Sequence, residues 1–187
     1  MKLSPLGING AWLAESPVWS DERGFFREWF KSEDVRTITG RDFGIEQANI
    51  SLSSAGTLRG IHYSIASRGQ AKWITCVSGS IQDVIVDIRP ESKTFGQWID
   101  VELKGDSGKA VLIGEGLGHG FLALEDNTAV AYLVSTPFSP TDEFEINPLD
   151  GKIGIEWRMD RNSLKISEKD KIAPTFAERL AEGKLPK

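Results

Sequence analysis

The sequence predicts an all-β jelly roll with short peripheral helices. Short segments in which apolar and polar residues alternate recur along the chain, separated by Gly, Asp, Asn and Ser, and this pattern is typical of a sandwich or barrel. Strands recur too often for an α/β protein. Because 187 residues with 40% hydrophobic content suffice for one core, we expect a single domain over residues 1–187.

The predicted strands follow this alternation in chain order. Residues 47–53 alternate strictly and place Gln47, Asn49 and Ser51 on one face, which is polar enough to line a cavity. An apolar strand begins at Lys72. Further strands are predicted at residues 80–88, 95–103, 111–113, 120–124 and 128–134, with a turn at residues 89–92 and a bend at residues 114–118.

Helical signals lie only at the edges of this pattern. Ser32 precedes two acidic residues and resembles an N-cap, and Gly40 would end that short helix. A second helix is predicted at residues 175–182, closed by Gly183. We therefore expect the helices to be minor elements outside the main sheets.

Composition argues against several classes of partner. The 22 basic and 27 acidic residues give a net charge of −5 without a run of Lys and Arg, so nucleic acid is not an expected partner. No apolar run reaches the ~18 residues of a membrane span, and no signal peptide is recognised, so we expect a cytoplasmic protein that does not bind a membrane. The single cysteine, Cys76, lies in an apolar run and is expected to be a buried, reduced thiol.

The histidine count argues against a metal site. The chain has two histidines, His62 and His119, which are far apart in sequence. A catalytic zinc or iron site normally takes two or three imidazoles together with a carboxylate. We therefore predict no metal, while a two-histidine site completed by Glu or Asp stays open.

The most informative segment is residues 56–63, in which Arg59 precedes His62 by three positions. An imidazole beside a guanidinium suggests acid–base chemistry on an anionic substrate. On a regular strand the odd separation directs the two side chains to opposite faces, but Gly60 lies between them and permits a bulge that turns both toward one pocket. The alternative is a surface arginine and a hydrogen-bonded core histidine.

A set of motifs spread over most of the chain carries the strongest signal. In chain order they are Asp21-x-Arg23-Gly24-x-Phe26-x-Glu28, Gln47-x-Asn49-x-Ser51, Gly56-Thr57-Leu58-Arg59-Gly60-Ile61-His62-Tyr63, Gln70-x-Lys72, Val84-x-Val86-Asp87-x-Arg89, Gly118-His119-Gly120-Phe121, Tyr132 and Ser167-x-Lys169-Asp170. Together they resemble the dTDP-4-dehydrorhamnose 3,5-epimerases, and the ordered match spans residues 21–170. The resemblance implies a cupin-like double-stranded β-helix, a homodimer and a cytoplasmic role in making activated deoxysugars, with no redox cofactor and no metal.

The resemblance also implies a reaction. In dTDP-4-keto-6-deoxy-D-glucose the ketone acidifies the protons on carbons 3 and 5, so a base can remove one of them to form an enolate. Return of a proton to the other face inverts the carbon. The family's base matches His62, and an unperturbed imidazole has a pKa of about 6.5, near the working pH. The acid on the opposite face matches Tyr132.

Two further catalytic roles follow from the resemblance. Asp170 matches the carboxylate that orients the imidazole of the base, and Lys72 matches the cation that stabilises the enolate oxygen. From the residues alone, each assignment has a plainer alternative. Asp170 fits a helix cap in an [ST]-x-x-[DE] pattern, Tyr132 fits a half-buried strand aromatic, and Lys72 fits an exposed strand lysine.

The remaining matches are substrate-binding residues. Arg23 and Arg59 would hold the diphosphate, because the forked donors of a guanidinium suit phosphate oxygens. Phe138 stands where the family commonly has a tyrosine that stacks on thymine, so stacking is retained while a hydroxyl is lost. The other positions that the resemblance assigns to nucleotide and sugar are Phe26, Glu28, Gln47, Asn49, His119, Glu143 and Lys169.

We therefore predict a sugar-nucleotide epimerase that inverts both carbons and gives dTDP-4-keto-L-rhamnose. A 3- or 5-mono-epimerase of an antibiotic deoxysugar pathway would use the same residues and remains the main alternative. A cupin that binds a sugar nucleotide without catalysis is a second alternative. A metal-dependent cupin oxygenase or isomerase is a third, and the histidine count disfavours it.

Overall fold

Strands dominate the computed structural model, which describes residues 1–186; Lys187, the last residue of the predicted domain, lies outside the described residues. The helices are α1 Ser32–Thr39, α2 Glu168–Lys171 and α3 Phe176–Ala181, with a 3-10 turn at Arg161–Ser163. The strands are β1 Lys2–Pro5, β2 Ala11–Glu15, β3 Trp19–Asp21, β4 Gly24–Phe26, β5 Gln47–Ser53, β6 Thr57–Ser64, β7 Lys72–Ser78, β8 Ser80–Asp87, β9 Trp98–Lys104, β10 Lys109–Ile113, β11 Leu117–Ala123, β12 Thr128–Val134, β13 Glu143–Glu145 and β14 Lys165–Ile166.

Two sheets face each other across the main core. The first sheet has the strand order β1-β2-β10-β7-β12-β5, and the second has the order β13-β6-β11-β8-β9, with β14 added parallel to β6. Strands β3 and β4 form a separate antiparallel hairpin. Ile74 and Val130 of the first sheet pack in one cluster with Ile81 and Phe121 of the second. The predicted all-β jelly roll is confirmed.

The second sheet is covered on both faces, which explains why β8 is buried at every residue. Ile81 and Ile85 pack on its inner face, toward the first sheet. Val84 and Val86 pack on its outer face in a cluster that includes Phe176 of α3. Since side chains alternate along a strand, every second residue of this sheet points into the space between the two sheets.

The predicted strand boundaries are partly right. Strands β5 and β12 have the predicted limits, whereas β9 begins at Trp98 rather than at residue 95, because Gly96 takes a φ of 77° in the preceding turn. Strand β11 begins at Leu117 rather than at residue 120. Leu117 and Gly118 were expected in a bend, but they pair with Asp87 and Val86 of β8. Cross-strand pairing therefore extends this strand beyond its alternating segment.

The helix ends follow the expected chemistry with one correction. Lys31, rather than Ser32, is the N-cap of α1, and Gly40 closes that helix in the left-handed region with a φ of 71°. Thr175 caps α3 in a capping box with Glu178, as its sequence indicates. No helix within residues 1–186 is both long enough and apolar enough to cross a membrane.

Candidate active site

Two adjoining cavities open between the sheets. One has a volume of about 360 Å³ and the other about 390 Å³. The residues that line both cavities are His62, Lys72, Tyr132 and Lys169. These shared residues place the candidate catalytic groups at the junction of two lobes, an arrangement that suits a substrate with two chemically different halves.

A bulge in β6 brings Arg59 and His62 to the same cavity. His62 lies opposite His119 of β11, and Arg59 lies opposite Phe121, so two residues of β6 face the single residue Gly120. Arg59 and His62 both line the cavity of about 360 Å³, the first lobe, with His119 and Phe121. The predicted bulge is thus confirmed. His62 is only half-buried, which contradicts a core histidine, while Arg59 is exposed, as the alternative expected, and also lines the cavity.

Glycine is required at the centre of this bulge. Gly60 has a φ of 125°, a conformation that side chains other than glycine rarely adopt. A Cβ atom there would lie 2.5 Å from the Cα of Gly120 and 2.8 Å from the carbonyl oxygen of His119. The Gly60 N–H also donates to Asp170 Oδ2 at 3.4 Å, so the bulge and the carboxylate beside His62 are joined directly.

Asp170 holds the imidazole of His62. His62 Nε2 lies 2.8 Å from Asp170 Oδ1, and the backbone N–H of Asp170 donates to the side chain of Ser167, the N-cap of α2. Both interpretations of the Ser167 to Asp170 pattern therefore hold, because the cap uses the backbone of Asp170 and the histidine uses its carboxylate. Burial by itself raises the pKa of Asp170. The hydrogen bonds from His62, Gly60 and Ser167 and the charge of His62 lower the pKa by a larger amount, so it lies below the usual carboxyl value.

Tyr132 and Lys72 reach the cavity from the opposite sheet. They lie on β12 and β7, which pair side by side in the first sheet, whereas His62 lies in the second. Burial raises the pKa of Tyr132 more than the charge of Arg59 lowers it, so the phenol is protonated at neutral pH. An imidazole and a phenol therefore stand on opposite walls of one cavity.

Lys72 is buried rather than exposed. Its relative exposure is 8%, which contradicts the alternative of an exposed strand lysine. Burial lowers the pKa of its ammonium group, and the negative charges of Glu143 and Asp83 act in the opposite direction. A buried cation beside His62 and Tyr132 is a suitable partner for an oxygen that acquires negative charge.

The cavity of about 390 Å³, the second lobe, carries polar groups that hold one another in place by hydrogen bonds. Gln47 Nε2 donates to Asn49 Oδ1 at 2.7 Å, and the backbone N–H of Phe138 donates to Gln47 Oε1 at 2.9 Å. Glu143 Oε1 accepts from Gln70 Nε2 at 2.8 Å. The polar face predicted for β5 does line the cavities, with Gln47 and Asn49 in this lobe and Ser51 in the other.

Comparison with known proteins decides the family. Residues 5–178 match the family model described as dTDP-4-dehydrorhamnose 3,5-epimerase. This chain belongs to that epimerase family. It is therefore an isomerase, as the sequence motifs predicted.

Relatives of this epimerase cover its full length. A dTDP-4-dehydrorhamnose 3,5-epimerase of Mycolicibacterium smegmatis is 44% identical over 100% of this chain and 91% of its own. The solved rmlC epimerase of Mycobacterium tuberculosis superimposes with a TM-score of 0.96 at 40% identity, covering 100% of this chain and 94% of that one. The solved ChmJ, a 3'-monoepimerase of Streptomyces bikiniensis in complex with dTDP-quinovose, gives a TM-score of 0.92 at 42% identity and covers 97% and 91% of the two chains. Double and single epimerases are thus similar to this enzyme to the same degree.

Three predicted binding residues of the epimerase lie outside both cavities. Arg23 and Phe26 belong to the β3–β4 hairpin, where Arg23 pairs with Asp21 and its side chain is 84% exposed. Phe26 and Glu28 are exposed as well. The other predicted residues line one or both cavities: Gln47, Asn49, Arg59, His62, Lys72, His119, Tyr132, Phe138, Glu143, Lys169 and Asp170.

The sequence motifs did not identify every polar residue of this site. Gln70, which positions Glu143, belongs to a quoted motif but was assigned no role. Lys165 and Thr57 line the first lobe because β14 pairs with the start of β6, and no local pattern signals that pairing. Asp83 forms a hydrogen bond with His119. Its place between Ile81 and Ile85 on one face of a strand is a sequence signal, because an acidic residue is unusual on an apolar face.

The two histidines are each held by their own carboxylate. His62 bonds Asp170, and His119 bonds Asp83 with Nε2 and Oδ2 2.8 Å apart. Across residues 1–186, no group of three or more His, Cys, Asp or Glu side chains is arranged to hold a metal ion. The absence of a resident metal stays a prediction for the protein itself.

Proposed function

We propose that this enzyme inverts carbons 3 and 5 of dTDP-4-keto-6-deoxy-D-glucose and so forms dTDP-4-keto-L-rhamnose. The observation that carries the proposal is the position of His62 and Tyr132, which face one cavity from opposite sheets. Inversion requires a proton to leave from one face of the sugar ring and another to arrive on the opposite face. Two proton-transfer groups on opposite walls supply this geometry.

His62 is the proposed base. Since Asp170 engages Nε2, Nδ1 is the ring nitrogen left to remove the proton from the carbon beside the ketone. The electron pair of the broken C–H bond moves into an enolate, and the imidazolium that forms is stabilised by the Asp170 carboxylate. Tyr132 then gives its proton to the opposite face of the same carbon, and solvent restores both groups.

Lys72 is the proposed partner of the enolate oxygen. Its buried ammonium group lines both lobes beside His62 and Tyr132. A fixed positive charge in a site that excludes water stabilises developing negative charge by several kcal/mol, on the order of 3. The charges of Glu143 and Asp83 favour the ammonium form that this role needs.

The two lobes fit the two halves of a sugar nucleotide. Gln47, Asn49 and the aromatic ring of Phe138 line one lobe, and amide groups with an aromatic face suit a nucleobase. Arg59 lines the other lobe, where its guanidinium suits a diphosphate. We propose that dTDP spans the junction and brings the keto sugar to His62.

A second copy of the chain completes the proposed site. Ile50 and Leu52, on the outer face of the edge strand β5, are 72% and 67% exposed, and Phe25 and Phe26 of the hairpin are also exposed. Contiguous exposed apolar side chains mark interaction surfaces. We propose a homodimer in which the hairpin of one copy carries Arg23, with Phe26 and Glu28, to the cavity of the other.

We propose that the enzyme works in the cytoplasm, without nucleic acid or membrane as a partner. The net charge of −5 is unfavourable for nucleic acid. Cys76 is free and buried, which suits a reducing compartment. Burial raises the pKa of its thiol to about 11, so the side chain is not an activated nucleophile.

Hydrogen exchange tests the proposed reaction. In D2O, incubation with dTDP-4-keto-6-deoxyglucose is expected to place deuterium at carbons 3 and 5, which proton NMR of the sugar detects. Deuterium at one carbon only supports the mono-epimerase, a second candidate that the 42% identical 3'-monoepimerase favours. Exchange at neither carbon contradicts the proposal. The variant His62→Asn, which cannot act as a base, should abolish exchange at both positions.

A further inference from the structure

A second histidine–carboxylate pair stands in the wall of the active-site cavity. His119 Nε2 lies 2.8 Å from Asp83 Oδ2, and His119 lies directly opposite His62 on the neighbouring strand. The proposed proton transfers use His62 and Asp170, and Asp83 enters them only through the effect of its charge on Lys72. Asp83 is 0% exposed and His119 is 8% exposed, so this pair is more deeply buried than the catalytic one.

The strand register aims the Asp83 carboxylate at His119. In the β8–β11 pairing, Asp83 lies opposite Phe121 and Ile85 lies opposite His119, so the acid and the imidazole are diagonal neighbours on one face. Ile85 packs in the core between the two sheets. Side chains two positions apart share a face, so Asp83 also points into this core.

A buried carboxylate in this position is unfavourable for stability. One oxygen bonds His119, while Oδ1 has no hydrogen-bond partner among the residues that the structure describes. Burial of a charged group costs free energy unless it is fully paired, and an apolar side chain in its place is often neutral or stabilising. Packing alone therefore does not explain an aspartate at position 83.

The cavity offers His119 no other free carboxylate in the described chain. The titratable groups that line the same lobe are Arg59 and His62 on β6, Lys72 on β7, Tyr132 on β12, Lys165 on β14, and Lys169 and Asp170 on α2. Asp170 is engaged by His62. Asp83, from β8, is therefore the carboxylate that fixes the second imidazole.

We propose that Asp83 is a positioning residue that acts on the sugar nucleotide through His119, by accepting the Nε2–H and so presenting Nδ1 of a ring of fixed orientation to the substrate. The carboxylate also favours the ammonium form of Lys72, whose pKa burial lowers. The identity of the ligand, a dTDP-linked sugar, rests on the proposed function. The tautomer itself is a property of the free protein.

Imidazole nitrogen NMR tests the tautomer without turnover. Because the chain has two histidines, a spectrum correlating ring protons with ring nitrogens contains two imidazoles, and His62→Asn assigns the remaining one to His119. We expect the His119 proton on Nε2 in the wild type and in Asp83→Asn, whose amide oxygen still accepts. In Asp83→Leu, which is similar in size but accepts no hydrogen bond, both tautomers should appear. A wild-type proton fixed on Nδ1, or an unchanged tautomer in Asp83→Leu, overturns the proposal.

A double-mutant cycle tests whether Asp83 acts through His119. Asp83→Leu and His119→Ala should each weaken binding of dTDP-linked sugar by roughly tenfold, the worth of one hydrogen bond, and the double variant should be no weaker than His119→Ala. Additive losses overturn the proposal. Binding is measured by calorimetry with dTDP-quinovose, which needs no catalysis, so a failed exchange experiment leaves this test intact. If the leucine variant does not fold, Asp83→Ala, which also accepts no hydrogen bond from His119, supplies the same cycle.

Discussion

At the scale of single residues, Asp170 combines a structural and a chemical role. Its backbone N–H is capped by Ser167, and its carboxylate holds His62 and accepts from the Gly60 N–H. The short helix α2 thereby fixes the orientation of the proposed base. The sequence pattern was compatible with either role, and the structure shows that one residue performs both because backbone and side chain are independent hydrogen-bonding groups.

Replacement of Tyr132 by Phe should separate proton exchange from inversion. Without the phenol, His62 still removes a proton and, after exchange with D2O, returns deuterium to the same face. We expect inversion to fall roughly 10²- to 10⁴-fold, the usual contribution of a positioned acid, while deuterium still enters at carbon 3. NMR of the sugar measures both quantities.

The chain supplies a matched control for that variant. Its only other tyrosine, Tyr63, donates to the carbonyl oxygen of Lys184 and packs in the outer cluster rather than in the cavity. Tyr63→Phe should therefore keep the wild-type rate of inversion. A Tyr132→Phe enzyme that inverts at the wild-type rate would remove Tyr132 as the acid.

At the scale of elements, the bulge in β6 decides which side chains meet. Arg59 and His62 are three positions apart, an odd separation, and without the extra residue opposite Gly120 they would face opposite sides of the sheet. The close approach of Gly60 to Gly120 leaves no space for a Cβ atom. Sheet geometry and site geometry therefore depend on the same glycine.

Two glycines with nearly the same backbone angle test this dependence. Gly60 and Gly24 have φ values of 125° and 123°, but a Cβ at Gly24 would meet nothing within 4 Å. Gly24→Ala should lower the free energy of unfolding only by the cost of backbone strain, about 1–3 kcal/mol. Gly60→Ala should lower the free energy of unfolding by about 1–3 kcal/mol more, because the added Cβ overpacks the sheet. This variant should also lose activity. Urea unfolding measures the difference, and equal losses in the two variants would contradict the account.

At the scale of the whole molecule, a buried acid outside the site joins the second sheet to the loop between β8 and β9 by hydrogen bonds. Asp87, at the end of β8, accepts hydrogen bonds from Arg89, Ser92 and Thr94. Burial alone raises the pKa of Asp87, but these bonds lower it to about 2. The carboxylate is therefore ionised in the folded protein at neutral and moderately acidic pH.

The lowered pKa of Asp87 predicts how stability depends on pH. A carboxyl with a folded pKa below its unfolded value stabilises the fold above pH 4, and this contribution, about 2 kcal/mol, is lost as the pH falls toward 2. We expect Asp87→Asn to be less stable than the wild type at pH 7. Between pH 4 and pH 2, the free energy of unfolding of this variant should fall by less than that of the wild type. Denaturation at several pH values measures this. The exposed Asp42, replaced by Asn, serves as the control and should leave the wild-type profile unchanged.

The proposed dimer predicts a change of mass. Leu52→Glu puts a charge on the exposed apolar face of β5, which opposes burial against a second copy. Light scattering should give about twice 20.6 kDa for the wild type and 20.6 kDa for the variant, with reduced activity because the hairpin no longer reaches its partner. Leu180→Glu, at an exposed leucine on α3, should remain dimeric. A wild-type monomer would refute the dimer.

Much of this enzyme was predictable from local pattern. Strict alternation located β5, a looser alternation located β12, Thr175 and Gly40 marked helix ends, and the spaced motifs around His62 and Tyr132 indicated the family. These signals depend on interactions between residues that are close in sequence or on side-chain chemistry that a motif preserves. Such information is present in the chain before it folds.

The meeting of distant residues required the tertiary structure. His62 and Tyr132 share one cavity because two sheets pack face to face, Lys72 is buried because β7 is central in its sheet, and Asp83 meets His119 through strand register. Burial and register arise from contacts between segments far apart in the chain, which periodicity does not encode. The sequence motifs identified the chemical groups, and the packing of the two sheets placed those groups on opposite walls of one cavity.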